Sequence, residues 1–272
     1  MIHLFTDFGT ADLYVGQVKA ELVRHAPRVP IIDLLHDAPP FRIEACAHLL
    51  AALARRFPPG SVVLAVVDPG VGTSRKPVVM RTDECHFVGP DNGLLSVIAA
   101  RSTDAALWEI IWRPEALSSS FHGRDLFAPI AARLALGIFP SDALKPLAAF
   151  DVSLGEADLG EIVYIDHYGN AMTGLQAERV SHDAVLTIAG KAVRHAPVFA
   201  AASPGEGFWY ENSIGLIEIA CNRASAAALC WVSLSVSSSL AARSCSRQAA
   251  PPQLRPWSNW RTWPRIHPHC SS

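Results

Sequence analysis

The chain has 272 residues, half of them hydrophobic, with 23 basic and 25 acidic side chains and a formal net charge of −2. That length suits one large or two modest domains, and that apolar fraction builds a sizeable core. A balance so close to neutral, with no runs of like charge, excludes the electrostatic footprint of a nucleic-acid binder and of a protein docked on anionic lipid.

The N-terminus opens directly on a strand-like run, Ile2–Thr6. It has neither a basic n-region nor a long apolar h-region, so no signal peptide is expected, and no apolar stretch reaches transmembrane length. A helix is expected over about Leu13–Arg24, and a second strand over Ile31–Leu35. Between Arg42 and Phe57, the residues Ile43, Cys46, Leu49, Leu50 and Leu53 recur at helical spacing. Ser61–Val67 is almost wholly apolar and β-branched, as a strand buried on both faces requires. Further helices are expected near Gly93–Ala100 and Arg124–Leu136. Strands alternating with helices imply a layered α/β domain with a largely parallel sheet over residues 1–150.

The pattern changes after about residue 150. Glu161–Asp166, Val185–Ile188, Ala192–Arg194, Phe208–Tyr210 and Leu216–Ala220 read as short strands, and Gly190-Lys191 is a hairpin signal. Residues 155–228 therefore read as a smaller all-β, barrel-like domain. From about Leu229 to Ser272 the composition breaks away. The segment has no Gly, Asp, Glu or Lys, is rich in Ser, Arg and Pro, and carries Trp231, Trp257, Trp260 and Trp263. Four tryptophans are unusual in a disordered tail, which favours a shifted reading frame and a poorly ordered segment. His267, His269 and Cys270 fall there and are given no function. The cysteines, Cys46, Cys85, Cys221, Cys230, Cys245 and Cys270, show neither a C-x-x-C pair nor metal-ligand spacing. They read as reduced core thiols of a cytoplasmic protein.

Polar islands follow the strands, where open α/β sheets place their functional loops. They are Thr6-Asp7-Phe8-Gly9-Thr10, Asp68-Pro69-Gly70-Val71-Gly72-Thr73-Ser74-Arg75, Gly89-Pro90-Asp91-Asn92-Gly93 and Phe121-His122-Gly123-Arg124-Asp125. Each has a structural reading too: an aspartate opening a turn often only accepts backbone N–H groups, and Asp125 suits a first helical turn. The residues alone suggest a polar pocket holding carboxylates, Arg75 and His122, without naming a substrate. The glycines at 70–72 fit neither a P-loop nor G-x-G-x-x-G.

The islands taken together resemble a known family. T-D-F-G-x-x-D-x-Y-V-G-x-x-K (Thr6–Lys19), D-P-G-V-G-T-x-R (Asp68–Arg75), G-P-D-N-G-L (Gly89–Leu94), F-H-G-R-D-x-F-A-P (Phe121–Pro129), I-D-x-Y-G-N (Ile165–Asn170) and Y-x-N-S-x-G (Tyr210–Gly215) run in the order of the S-adenosyl-L-methionine (SAM) hydroxide adenosyltransferases. These are relatives of the SAM-dependent fluorinase and chlorinase, and the likeness extends to about residue 228. It implies hydrolysis of SAM to adenosine and L-methionine by attack of water on the ribose 5′-carbon, with no metal or organic cofactor. It further implies a homotrimer whose active sites lie between subunits.

By the same resemblance Asp68, Arg75 and His122 hold and activate the water. Asp7 accepts from the ribose hydroxyls, Phe41 packs beside the nucleoside, and Asp166 pairs with the methionine ammonium. Tyr168 and Asn170 lie around the adenine, and Ser213 contacts the methionine carboxylate. Ile214 stands where the fluorinase has an arginine. The halogenating relatives carry aromatic residues at the positions of Asp68 and His122, and at Gly123 the fluorinase has a halide-binding serine. The alternatives are a SAM-dependent halogenase, a SAM- or nucleoside-binding protein without turnover, and a metal-dependent phosphohydrolase. The last lacks clustered ligand spacing.

Overall fold

The most apolar runs of the sequence become the innermost strands. β1 (Ile2–Thr6) and β3 (Val62–Val66) are buried along their whole length and pair in parallel. β2 (Ile31–Leu35) lies parallel to β1 on its other side, and β5 (His86–Pro90) lies parallel to β3. Three antiparallel strands extend the sheet: β4 (Pro77–Arg81), β6 (Ala106–Ile110) and β7 (Leu144–Leu147). The order across this seven-stranded sheet is β2-β1-β3-β5-β4-β6-β7. The expected parallel arrangement therefore holds for β2, β1, β3 and β5, which carry the first three polar islands. The structure, a computed structural model, describes residues 1–82, 84–188, 190–228 and the strand 234–237.

Helices cover both faces. α1 (Leu13–His25) buries only Val18 and Leu22, as a surface helix with a narrow apolar stripe does, and lies against α4 (Ala128–Ala135). α2 (Ile43–Ala54) is different: Ala45 through Ala52 are all buried. A helix apolar all round needs partners all round, and α2 has them. Its core cluster takes Phe5, Val63 and Ala65 from the first sheet and Val163 and Leu216 from the second. Leu50, fully buried there, should cost about 3 kcal/mol on truncation to alanine. The short α3 (Ser96–Arg101) follows the 89–93 turn. The helix expected from Arg124 opens instead with a single π turn, Gly123–Phe127, before α4 begins.

The second half is all-β. It comprises β8 (Leu159–Ile165), β9 (Ala171–Gln176), β10 (Val185–Ile188), β11 (Lys191–His195), β12 (Gly207–Glu211), β13 (Leu216–Cys221) and β14 (Leu234–Ser237), in the order β14-β10-β11-β12-β13-β9-β8. All neighbours pair antiparallel except β11 and β12. The hairpin signal at Gly190 joins β10 to β11, with Ile188 opposite Lys191. Trp209 centres the core of this half, with Leu186, Ile217 and Ile219 around it. The rest of the segment beyond Ala228, including its proposed frame shift, lies outside the described residues; Leu234–Ser237 pairs with β10. No helix among the described residues is long and apolar enough to cross a membrane.

Candidate active site

The carboxyl ends of β1, β2, β3 and β5 open onto one edge of the first sheet; three polar islands leave β1, β3 and β5 there, and the fourth, Phe121–Asp125, follows β6 and leads into α4. After β1 the chain is held to the loop after β2. Thr6 Oγ1 and His36 Nδ1 lie 2.8 Å apart, and the Gly9 N–H donates to the His36 carbonyl at 2.7 Å. Gly9 takes φ +79°, a left-handed conformation that glycine adopts freely. After β3, Asn92 Nδ2 donates to the Val67 carbonyl at 2.9 Å, so the 89–93 turn supports the start of the 68–75 loop.

Gly72 explains how that loop reaches His122. It has φ +79°, and a Cβ there would lie 2.6 Å from the Ser119 carbonyl oxygen. Only a residue without a side chain lets the 68–75 loop lie against the segment leading into Phe121 and His122. With the loops so close, Arg75 Nε donates to Asp68 Oδ1 at 2.9 Å and Nη2 donates to Asp68 Oδ2. Arg75 Nη2 also meets His122 Nδ1 at 3.1 Å. The two charged side chains are 9% and 5% exposed, so the pair is shielded from solvent on most sides. The guanidinium sits 5.3 Å from the centre of the Phe127 ring, which the π turn presents.

Burial holds His122 below its ordinary pKa, and the Arg75 charge pushes the same way, so the imidazole is neutral at pH 7. Asp7 stands near Asp68. Its carboxyl is pushed up to about 6, chiefly by burial, with the Asp68 charge adding to the shift. Beside them Phe8, Tyr14 and Phe121 form an aromatic cluster, with Tyr14 and Phe121 edge-on at 5.3 Å. Among the described residues no three His, Cys, Asp or Glu side chains gather in a way that would hold a metal ion.

The remaining expected binding residues lie on other loops. Phe41, between β2 and α2, is 72% exposed with φ +64°, and Tyr168 is 78% exposed, so neither is an ordinary core aromatic. Asp166 organises its own turn after β8. Oδ1 accepts from the N–H groups of Tyr168 and Asn170 at 2.9 and 2.8 Å, and Oδ2 accepts from Asn170 Nδ2 at 3.0 Å. Ser213 is exposed in the turn between β12 and β13. No hydrogen bond or ion pair between described residues links Asp166, Tyr168, Asn170 or Ser213 to Asp7, Asp68, Arg75 or His122.

Asp91 and Asp125 take the structural roles open to them. Asp91 accepts the Asp151 N–H, and Asp125 accepts the Ser118 N–H and pairs with Arg124. Cys46, Cys85 and Cys221 are buried free thiols, as expected; Cys230, Cys245 and Cys270 lie outside the described residues. One group escaped the sequence reading. Glu218 is a lone acid in the otherwise buried apolar strand Leu216–Cys221, and that misfit was its only signal.

The family model for the SAM hydroxide adenosyltransferase N-terminal domain matches residues 2–144, and the model for the C-terminal domain matches residues 160–235. The chain belongs to the SAM hydroxide adenosyltransferase family. Among its relatives in that family, an enzyme of Thermus thermophilus named (R)-S-adenosyl-L-methionine hydrolase is 38% identical, over 83% of this chain and 93% of the relative. One of the same name from Salinispora arenicola is also 38% identical, over 84% of this chain and 92% of the relative. A crystal structure of an uncharacterized conserved protein from Thermotoga maritima is 34% identical with a TM-score of 0.76, covering 84% of this chain and 95% of that one.

Proposed function

We propose that this protein hydrolyses SAM to adenosine and L-methionine. The observation that carries the proposal is the convergence of Asp68, Arg75 and His122 from two separate loops into one hydrogen-bonded cluster. Family membership, and relatives at 38% identity named for SAM hydrolysis, support the same reading.

The chemistry follows from the leaving group. The sulfonium carries a positive charge, so methionine leaves without acid help when the carbon–sulfur bond breaks and its electron pair returns to sulfur. The difficulty is the nucleophile. Water must sit in line behind the 5′-carbon, and such positioning is worth several kcal/mol of barrier. As its oxygen bonds to carbon, the water loses a proton and becomes the 5′-hydroxyl of adenosine.

The cluster geometry suggests which group takes that proton. His122 Nδ1 faces an Arg75 N–H, and guanidinium has no acceptor to offer, so Nδ1 must accept. The proton of the neutral ring is then on Nε2, which makes that nitrogen a donor. Asp68 spends one lone pair of each oxygen on Arg75 and keeps the others. Asp68 is therefore the proposed proton acceptor, with His122 directing the water by donating to it and Arg75 fixing both. A carboxylate in this position would repel a halide, which disfavours halogenation.

Asp7 and Phe41 are assigned to the nucleoside, Tyr168 and Asn170 to the adenine, and Asp166 and Ser213 to the methionine end. The exposure of Phe41 and Tyr168 fits a homotrimer whose sites lie between subunits.

The test is turnover of SAM in isotopically labelled water. Label in the 5′-hydroxyl of adenosine supports the proposal; assembled protein that releases no adenosine sinks it. Asp68→Ala should abolish turnover and leave SAM binding within a few-fold.

A further inference from the structure

β12 and β13 meet at a turn that is built around a buried carboxylate. Glu218, on β13, is 3% exposed and has no cation beside it among the described residues. Its two oxygens are taken by neutral donors: the Tyr210 hydroxyl at 2.6 Å and Asn212 Nδ2 at 2.9 Å. The other end of the Asn212 amide is also occupied. Its Oδ1 accepts from the N–H groups of Ile214 and Leu216 at 3.1 and 3.0 Å. The backbone closes around it, with Asn212 N–H donating to the Leu216 carbonyl and Gly215 N–H to the Asn212 carbonyl. From the far side, Arg56 Nη2, just beyond α2, donates to the Ser213 carbonyl at 2.9 Å.

A buried carboxylate is costly unless each oxygen has a donor, and a fully satisfied network is correspondingly rigid. The backbone pairing of β12 with β13 does not itself call for an acid at this position. What the network does is fix the 212–216 turn, leaving Ser213 exposed at its tip. The same network faces a second loop. Burial and the Glu218 hydrogen bond raise the Tyr210 phenol, and the Asp166 charge adds to that shift, which sets Asp166 within electrostatic reach of Tyr210.

We infer that Glu218, with Tyr210 and Asn212, is a positioning group for recognition of the amino-acid end of the substrate, acting through the turn that presents Ser213. The inference rests on the proposed assignment of Ser213 to the methionine carboxylate. None of the three touches the reacting atoms, so their loss should raise KM for SAM and spare kcat. Adenosine has no amino-acid end, so its affinity should not change.

The test compares Tyr210→Phe, Glu218→Ala and Glu218→Gln in the full chain. Glu218→Ala leaves Asn212 Nδ2 and the Tyr210 hydroxyl without a buried acceptor, and should raise KM for SAM about tenfold, the scale of one hydrogen bond to a charged group. Glutamine can accept from Asn212 and donate to a rotated Tyr210 hydroxyl, so Glu218→Gln should return KM to within about threefold of wild type. Tyr210→Phe folds with one acceptor unmet and should fall between them. Adenosine affinity, read by calorimetry, should stay within twofold throughout. Amide hydrogen exchange at Ile214 and Leu216 should rise in Glu218→Ala even where no substrate is present.

Equal losses of SAM and adenosine affinity, or an unchanged KM for SAM in both Glu218→Ala and Tyr210→Phe, overturn the inference. So does unchanged exchange at Ile214 and Leu216. A wild type that binds SAM but releases no adenosine overturns the hydrolase reading alone, because SAM-over-adenosine binding in the variants still reports on the turn.

Discussion

Asp68 and Arg75 are seven residues apart in the chain and meet side-on, two nitrogens against two oxygens, with His122 attached to one of those nitrogens. A point charge cannot reproduce this. Lysine in place of Arg75 could reach the carboxylate but has no second nitrogen in a fixed plane to hold the imidazole. Arg75→Lys should therefore lower kcat about 100-fold while KM for SAM moves little, and Asp68→Asn, which removes the proposed proton acceptor, should lower it about 1000-fold. Arg75→Met leaves a carboxylate that is 5% exposed without its partner and should destabilise the fold by about 3 kcal/mol. Steady-state kinetics and denaturant melts read the two effects separately; a fully active Arg75→Lys would remove the bridging role.

Acid should weaken the enzyme through substrate binding. The Asp7 carboxyl is raised from the usual 3.8 to about 6. A raised carboxyl favours the fold when protonated, so this residue withdraws stability as pH climbs from roughly 4 to 6, the reverse of a salt-bridged aspartate. On the proposed assignment, ribose recognition needs it ionised, so that its two oxygens accept hydrogen bonds from the two hydroxyls. kcat/KM for SAM should then drop about tenfold per pH unit below about 6. Protonation of His122, whose pKa burial and Arg75 hold down, would add a second loss in acid. In Asp7→Asn the acid limb near 6 should vanish at a reduced, flat kcat/KM. A limb that persists there belongs to another group.

Why the candidate-site loops are legible in the sequence, and other parts are not, comes down to how many residues announce each one. Asp68, Arg75 and His122 stand in glycine-rich islands directly after or before strongly patterned elements, so their loop was readable. That the two loops touch depends on Gly72 facing Ser119, 47 residues away, and no local pattern encodes such a contact. The strands β4, β5, β6, β7 and β9 carry no clear signal in the sequence. Each is four to six residues long. Proline bounds β4 and β5, Lys145 and Pro146 interrupt the edge strand β7, and Thr173 and Gly174 blur β9. Glu218 shows in the sequence only as an acid in an apolar strand: its partner Tyr210 reads as part of a separate strand, and only the antiparallel register of β12 and β13 sets the two side by side.

Gly72 itself gives a third test. Alanine there meets both a left-handed φ of +79° and a carbonyl oxygen 2.6 Å from its Cβ. Either the backbone strains, at about 1–3 kcal/mol, or the loop backs away from Ser119. In the second case Arg75 moves from His122. Gly72→Ala should lower both the melting temperature and kcat, whereas Gly60→Ala, with φ +78° but open space around it, should lower the melting temperature alone. Loss of kcat in both would mean that general destabilisation, not loop separation, is responsible.

The last test concerns the floor beside His122. Gly123 is buried at the start of the π turn, and a Cβ on it would stand 3.1 Å from Phe8 Cζ and 3.5 Å from Phe121 Cε2. Its φ is not left-handed, so the objection to a side chain is the rings alone. Phe8 follows Asp7 directly and is edge-on to Phe121 at 5.8 Å, so displacing its ring pulls on the loop that carries Asp7. Gly123→Ala should therefore raise KM for SAM several-fold. Phe8→Leu shortens the ring away from position 123 and should weaken binding modestly by itself. Together the two changes should cost less than the sum of each, with a coupling of about 1 kcal/mol in a double-mutant cycle, as expected for residues in direct contact. Strict additivity would mean that the Phe8 ring yields freely and that the glycine is required for some other reason.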